Sequence, residues 1–141
     1  MNSDELKQLA QDRVDDAIAL LAANRWAGAY HLTGFAVECG LKACVLKYLA
    51  KGTIFDDPKY LKDLGECRTH DLDKLVRLSG LKDDQESYLK RDENYRRFWT
   101  ITKDWNESSR YTQTTEAKAR DLFEAVTNKP DGVLEWIRLY W

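Results

Sequence analysis

Seven side chains in this sequence have the types and spacing to do chemistry. Glu38 and Lys42 stand four residues apart with the acid first, the order that favours an ion pair on one helix face. They interrupt a stretch in which Trp26, Tyr30, Leu32, Phe35, Val37, Leu41, Val45, Leu46 and Leu49 surround a helix axis, the pattern of a rod in the middle of a bundle. Such a pair either sits at the rim of the core with its heads in water or lines a cleft or subunit contact. Stability alone is a weak reason to keep it, because desolvating two charges can exceed their attraction. His31 and His70 are the two histidines, the residue type that changes charge near neutrality. Thr69-His70-Asp71-Leu72 sets His70 at a helix start, where a local cap or surface contact is the expected role and acid–base work the alternative. Arg25 precedes His31 on the same helix, but six residues place them about 120° apart and about 9 Å along the axis. A cap at Asn24 would let Arg25 bend back around the first turn. Arg110-Tyr111 falls in a loop ahead of a helix start, where a guanidinium, exposed amides and a stacking ring suit a phosphate with its base. An Arg held by a carboxylate and a Tyr packed on the bundle would read identically.

The elements that must position these groups are helices. Ser3 is placed to cap a first helix, with Asp4 and Glu5 at its positive end and Leu6, Leu9, Ala10, Val14, Ala17, Ile18 and Leu21 inward. The second carries Gly28, Gly34 and Gly40, each costing about 1 kcal/mol against Ala, so close helix packing is expected to offset them. Gly52 ends it, and Asp57-Pro58 to Gly65 reads as a peripheral helix. Thr69 caps a helix bearing Leu72, Leu75, Val76 and Leu78 that Gly80 closes. Asp83-x-x-Glu86 reads as a capping box for one long helix with Tyr88, Tyr95, Trp99 and Thr102 on a stripe. Residues 106–109 read as a loop. Thr114 or Thr115 caps a helix with Ala117, Leu122, Ala125 and Val126 inward, and Lys129-Pro130-Asp131 begins a last one ending in Trp136, Ile137, Leu139, Tyr140 and Trp141.

Composition agrees. Two Pro and seven Gly in 141 residues are too few for the turns of an all-β domain, and 43% apolar residues suffice for one core. The expectation is an all-α, up-and-down bundle of about five main helices with short additional ones, a single domain over 1–141. With 22 basic and 24 acidic side chains the net charge is −2, so any nucleic-acid contact must be local. No run is apolar for the roughly 18 residues of a membrane span, and Met1-Asn2-Ser3-Asp4-Glu5 lacks a signal's basic and apolar regions. A cytoplasmic protein is expected. Cys39, Cys44 and Cys67 match neither a CxxC pair nor a zinc spacing, so reduced thiols, no metal and no cofactor are expected. Five Trp exceed the usual needs of so small a core, and Trp favours subunit contacts; a homodimer is expected. No P-loop, nucleotide-binding glycine fingerprint, nucleophile elbow, HExxH or EF-hand loop is present.

The stretch Arg25-Trp26-x-x-Ala29-Tyr30-His31-Leu32-x-Gly34-Phe35-Ala36-Val37-Glu38-Cys39-x-Leu41-Lys42-Ala43 resembles the signature helix of HEPN domains, helical bundles of prokaryotic nucleotide-associated and RNA-targeting systems. Thr69-His70-Asp71-Leu72 with Leu75, then Trp105, Arg110-Tyr111, Gly132-Val133 and Trp136, follow in matching order. The resemblance implies a bundle, commonly dimeric, often paired with a minimal nucleotidyltransferase. In that family's ribonuclease branch an Arg is followed after four to six residues by a His, late in the fold; His serves the ribose 2′-hydroxyl while Arg holds the phosphate, with no metal required. Here Arg110 has no such His, and Arg25 with His31 meets the spacing only within the early signature helix. The leading expectation is therefore a homodimeric binding protein for nucleotide or RNA, working with a nucleotidyltransferase. Arg110 would hold phosphate, Tyr111 a base or sugar, and Glu38 with Lys42 would set the polarity of the cleft. The runner-up is a metal-independent endoribonuclease toxin of a toxin–antitoxin or defence system, using His31 or His70 with Arg25 or Arg110. The third is a purely structural helical adaptor.

Overall fold

The computed structural model describes residues 1–50 and 65–141, the side chain of Arg110 excepted. They form an all-α bundle: α1 (Ser3–Ala22), α2 (Trp26–Ala50), α3 (Leu72–Leu78), α4 (Lys82–Arg91), α5 (Glu93–Lys103), a 3-10 turn (Glu107–Tyr111), α6 (Glu116–Thr127) and α7 (Val133–Arg138). The readings at Gly52 and Asp57-Pro58 lie outside the described residues.

Helix α2 is the central rod. Ala29, Tyr30, Ala36, Val37, Leu41, Ala43 and Val45 are all buried, because α1, α3, α6, α7 and the 3-10 turn each pack on a different part of it. A helix wrapped on all sides must be apolar on all sides, as its sequence is. Gly34 is where one neighbour comes closest: a Cβ there would fall 2.2 Å from the Trp105 indole. Trp105 is itself buried, so the absence of a side chain at Gly34 is what seats the start of the 3-10 turn on α2. Gly80, at φ +73°, turns the chain after α3 in the left-handed region that glycine enters without steric cost.

Several local signals resolve differently from the expectation. Asn2 rather than Ser3 caps α1, in a reciprocal capping box with Glu5. Asp71 rather than Thr69 caps α3, its carboxylate accepting from the Lys74 amide. The long helix is two: Asp92 adopts extended backbone and caps α5 through the Tyr95 amide, while α4 begins at Lys82 with no side-chain cap. A competent capping residue inside a polar run is enough to break it, and Tyr95, Phe98 and Trp99 behind Asp92 have a core to enter. Residues 106–109 are largely helical, within the 3-10 turn. Thr115 caps α6 as expected, but Ala119 rather than Ala117 faces inward.

Three of the five tryptophans are buried within the protomer and two are partly buried. Trp99, Trp105 and Trp136 are buried, Trp26 lies under the Arg120 guanidinium at 5.2 Å and Trp141 under that of Arg138 at 5.6 Å.

Candidate functional site

The polar centre of the molecule is Glu38. Its side chain is 2% exposed, on the α2 face that meets the irregular segment before α3. Lys42, one turn on, places Nζ 3.3 Å from Oε2, the pairing that the i,i+4 spacing implied. The other oxygen, Oε1, is 2.8 Å from Nδ1 of His70. On the far side of the ring, Nε2 lies 3.1 Å from Oε2 of Glu107, at the start of the 3-10 turn. Both ring nitrogens thus face carboxylates. The imidazolium, with N–H at each position, donates to both, whereas either neutral tautomer directs a lone pair at one of them.

The arrangement is a continuous chain of polar contacts: Lys42, Glu38, His70, Glu107. It ties together three parts of the chain remote in sequence, namely α2, the Thr69-His70-Asp71 segment and the 3-10 turn. His70 is therefore no local cap. The local work falls to its neighbours, Thr69 accepting from the Asp71 amide and Asp71 capping α3, which leaves the imidazole to reach across the fold. Glu38 is a buried anchor and not a head held in water at the rim, whereas Lys42, at 18% side-chain exposure, extends to the edge. Two thiols border it. Burial pushes Cys39 up to about 12, its neighbour Glu38 adding to the effect, and burial likewise raises Cys67, with Lys42 opposing and Glu38 reinforcing. Cys44, deeper along α2, is pushed up to about 11 by burial.

Glu107 opens the turn whose far end carries Arg110 and Tyr111. Tyr111 is 77% exposed. An open groove of about 770 Å³ begins two residues farther on, at Gln113 and Thr114, and is closed on the other side by Leu20, Asn24, Arg25, Trp26 and Gly28. Arg25 belongs to this groove. His31 does not: its half-buried ring stacks parallel to Phe35 at 6.5 Å and lies 5.9 Å from Trp105. Asn24, at φ +59°, makes the turn between α1 and α2 instead of a standard cap. Arg25 and His31 are thus assigned to different surroundings, while Glu38, Lys42 and His70 are joined, with Glu107 as the member that sequence reasoning missed.

Among the described residues no three His, Cys, Asp or Glu side chains are gathered as a metal set, and no helix is long and apolar enough to cross a membrane. Comparison with family models, curated proteins and solved structures returned no match.

Proposed function

We propose that this chain is a HEPN-like homodimeric binding protein for nucleotide or RNA that works with a nucleotidyltransferase partner. One observation carries the reading: three separated stretches of the resemblance, those around Glu38, His70 and Arg110-Tyr111, meet through the Glu38–His70–Glu107 chain of contacts. Segments far apart in sequence that are joined through one imidazole support a shared site better than their order along the chain does. Tyr111 supplies an exposed ring for stacking on a base, and Arg110, one residue before it, a guanidinium for the phosphate. The groove beyond Thr114, with Arg25 at its wall, gives the rest of the ligand room.

Binding is favoured over cleavage because both nitrogens of His70 are already engaged by carboxylates. A general base must bring a free lone pair within reach of the 2′-hydroxyl. The Glu38-oriented imidazole nevertheless favours one second reading, the metal-independent endoribonuclease, since a carboxylate that fixes a histidine ring is how such bases are positioned. Incubation of purified protein with RNA in EDTA separates the two. Saturable binding with the RNA intact is the expected result; cleavage that disappears in His70→Ala or His31→Ala establishes the enzyme and removes the first reading.

A further inference from the structure

We propose that His70 is a pH-operated latch on the 3-10 turn, gripping the turn when its ring is protonated and letting go of Glu107 when the ring is neutral. The latch is a property of the turn, whatever the turn binds. Nδ1 of His70 meets Oε1 of Glu38 at 2.8 Å and Nε2 meets Oε2 of Glu107 at 3.1 Å, so the imidazole bridges α2 and the turn. An ionised carboxylate only accepts hydrogen bonds. Two such acceptors on one imidazole are both satisfied by the form with two N–H groups, whereas the neutral ring serves one of them.

Burial decides which one is kept. The Glu38 side chain is 2% exposed and that of Glu107 38%. Glu38 cannot replace a lost donor with water, and Lys42 reaches only its other oxygen, whereas Glu107 can turn into solvent. The neutral ring therefore keeps its proton on Nδ1, toward Glu38, and aims the Nε2 lone pair at Glu107, which repels it. Glu107 is the first residue of the turn. Its departure loosens the entry of the turn, while Trp105, seated against Gly34, still anchors the chain just before it.

The surrounding groups leave the titration to the imidazole. The charged and titratable groups beside it are Glu38 and Lys42 from α2 and Glu107 from the turn. Cys67, Arg68 and Asp71 flank it along its own segment, and Cys39 adjoins Glu38 on α2. Burial raises both thiols, which stay protonated through neutrality, and Asp71 is committed to the Lys74 amide. Histidine is the one residue type in this set whose ordinary titration falls between about pH 5 and 8. At 45% side-chain exposure the ring is open to exchange of its protons with solvent.

The test is amide hydrogen exchange of the full chain at about pH 5.5 and about pH 8.5, on either side of ordinary histidine titration. Protection factors divide out the intrinsic pH dependence of exchange. The amides of Ser109 and Thr112, which donate to the carbonyls of Asn106 and Ser109, report on the turn, and that of Ala119 in α6, bonded to Thr115, is the reference. Protection at Ser109 and Thr112 is expected to fall about tenfold at the higher pH, the weight of one hydrogen bond to a charged group, with Ala119 unchanged. Nitrogen NMR shifts of the ring should place the high-pH proton on Nδ1. In Glu107→Gln the side-chain amide donates to the neutral Nε2 and its carbonyl accepts from the charged one, so the step should vanish. His31→Gln, which removes the other histidine, should keep it. Equal protection of the wild-type turn at both pH values overturns the latch. So does a step that persists in Glu107→Gln, a step lost in His31→Gln, or a high-pH proton on Nε2.

Discussion

His70 reaches back 32 residues to set Nδ1 2.8 Å from Oε1 of Glu38, so that the most buried carboxylate of the central helix is satisfied by a side chain from a different region of the fold. A buried carboxylate that loses such a partner keeps its desolvation cost and loses the compensation. His70→Ala is expected to destabilise the protein by about 1–3 kcal/mol, and Glu38→Ala by about 3–5 kcal/mol. The double variant should fall short of their sum, with a coupling of about 1–3 kcal/mol in denaturant titrations. Additive losses would mean that the contact carries no energy.

Gly34→Ala should be among the most disruptive one-carbon changes in the chain. The added Cβ would lie 2.2 Å from the Trp105 indole, and Trp105 has the buried walls of the bundle around it, not a flexible end that swings aside. Overpacking of this kind costs about 1–3 kcal/mol or more. The shift should reach the 3-10 turn that follows, so thermal melting and Trp fluorescence should both change. Gly65→Ala, which meets nothing within 4 Å, serves as the silent control.

Much of this arrangement was legible in the sequence. The all-round apolar face of α2, the Glu38–Lys42 pair and the start of α6 at Thr114 or Thr115 all follow from spacing, because each depends on residues within one or two turns. Glu107 was not legible. It lies in a polar stretch read as loop, and its role depends on a histidine from another segment, a contact with no local signature. The reach of His70 to Glu38 was hidden for the same reason: the helix start was legible, but Thr69 and Asp71 beside it perform the local capping. The break at Asp92 was hidden because the helical pattern continues on both sides of it; what favours the new start there is the burial of Tyr95 and Trp99.

The thiols provide a pH test. Cys44 and Cys39 are held protonated up to about 11 and about 12, against about 8.5 in an unfolded chain. Between those limits the unfolded chain has released protons that the folded chain keeps, so stability falls as pH rises. The contribution is complete below about pH 8.5 and is lost through the folded-state values. Melting temperatures should decline above that pH, and the decline should be shallower in Cys39→Ala/Cys44→Ala. At about pH 8 the alkylating reagent iodoacetamide should leave both thiols untouched in the folded protein.

Trp136 sits in the core against Tyr95 and Tyr140, so its removal should unfold the protomer rather than dissociate a dimer of folded protomers. Trp136→Ala is expected to cost about 3–5 kcal/mol, seen as a lowered melting temperature. If it instead halves the mass by light scattering while the fold survives, the tryptophan belongs to a subunit contact.

Binding of a labelled single-stranded RNA by wild type and by Tyr111→Ala, in EDTA and at matched melting temperature, addresses the function most directly. The expected result is saturable binding by wild type without shortening of the RNA, and a loss of about 1–3 kcal/mol of binding energy in Tyr111→Ala. Equal affinities for the two proteins, or no binding by either, would contradict it.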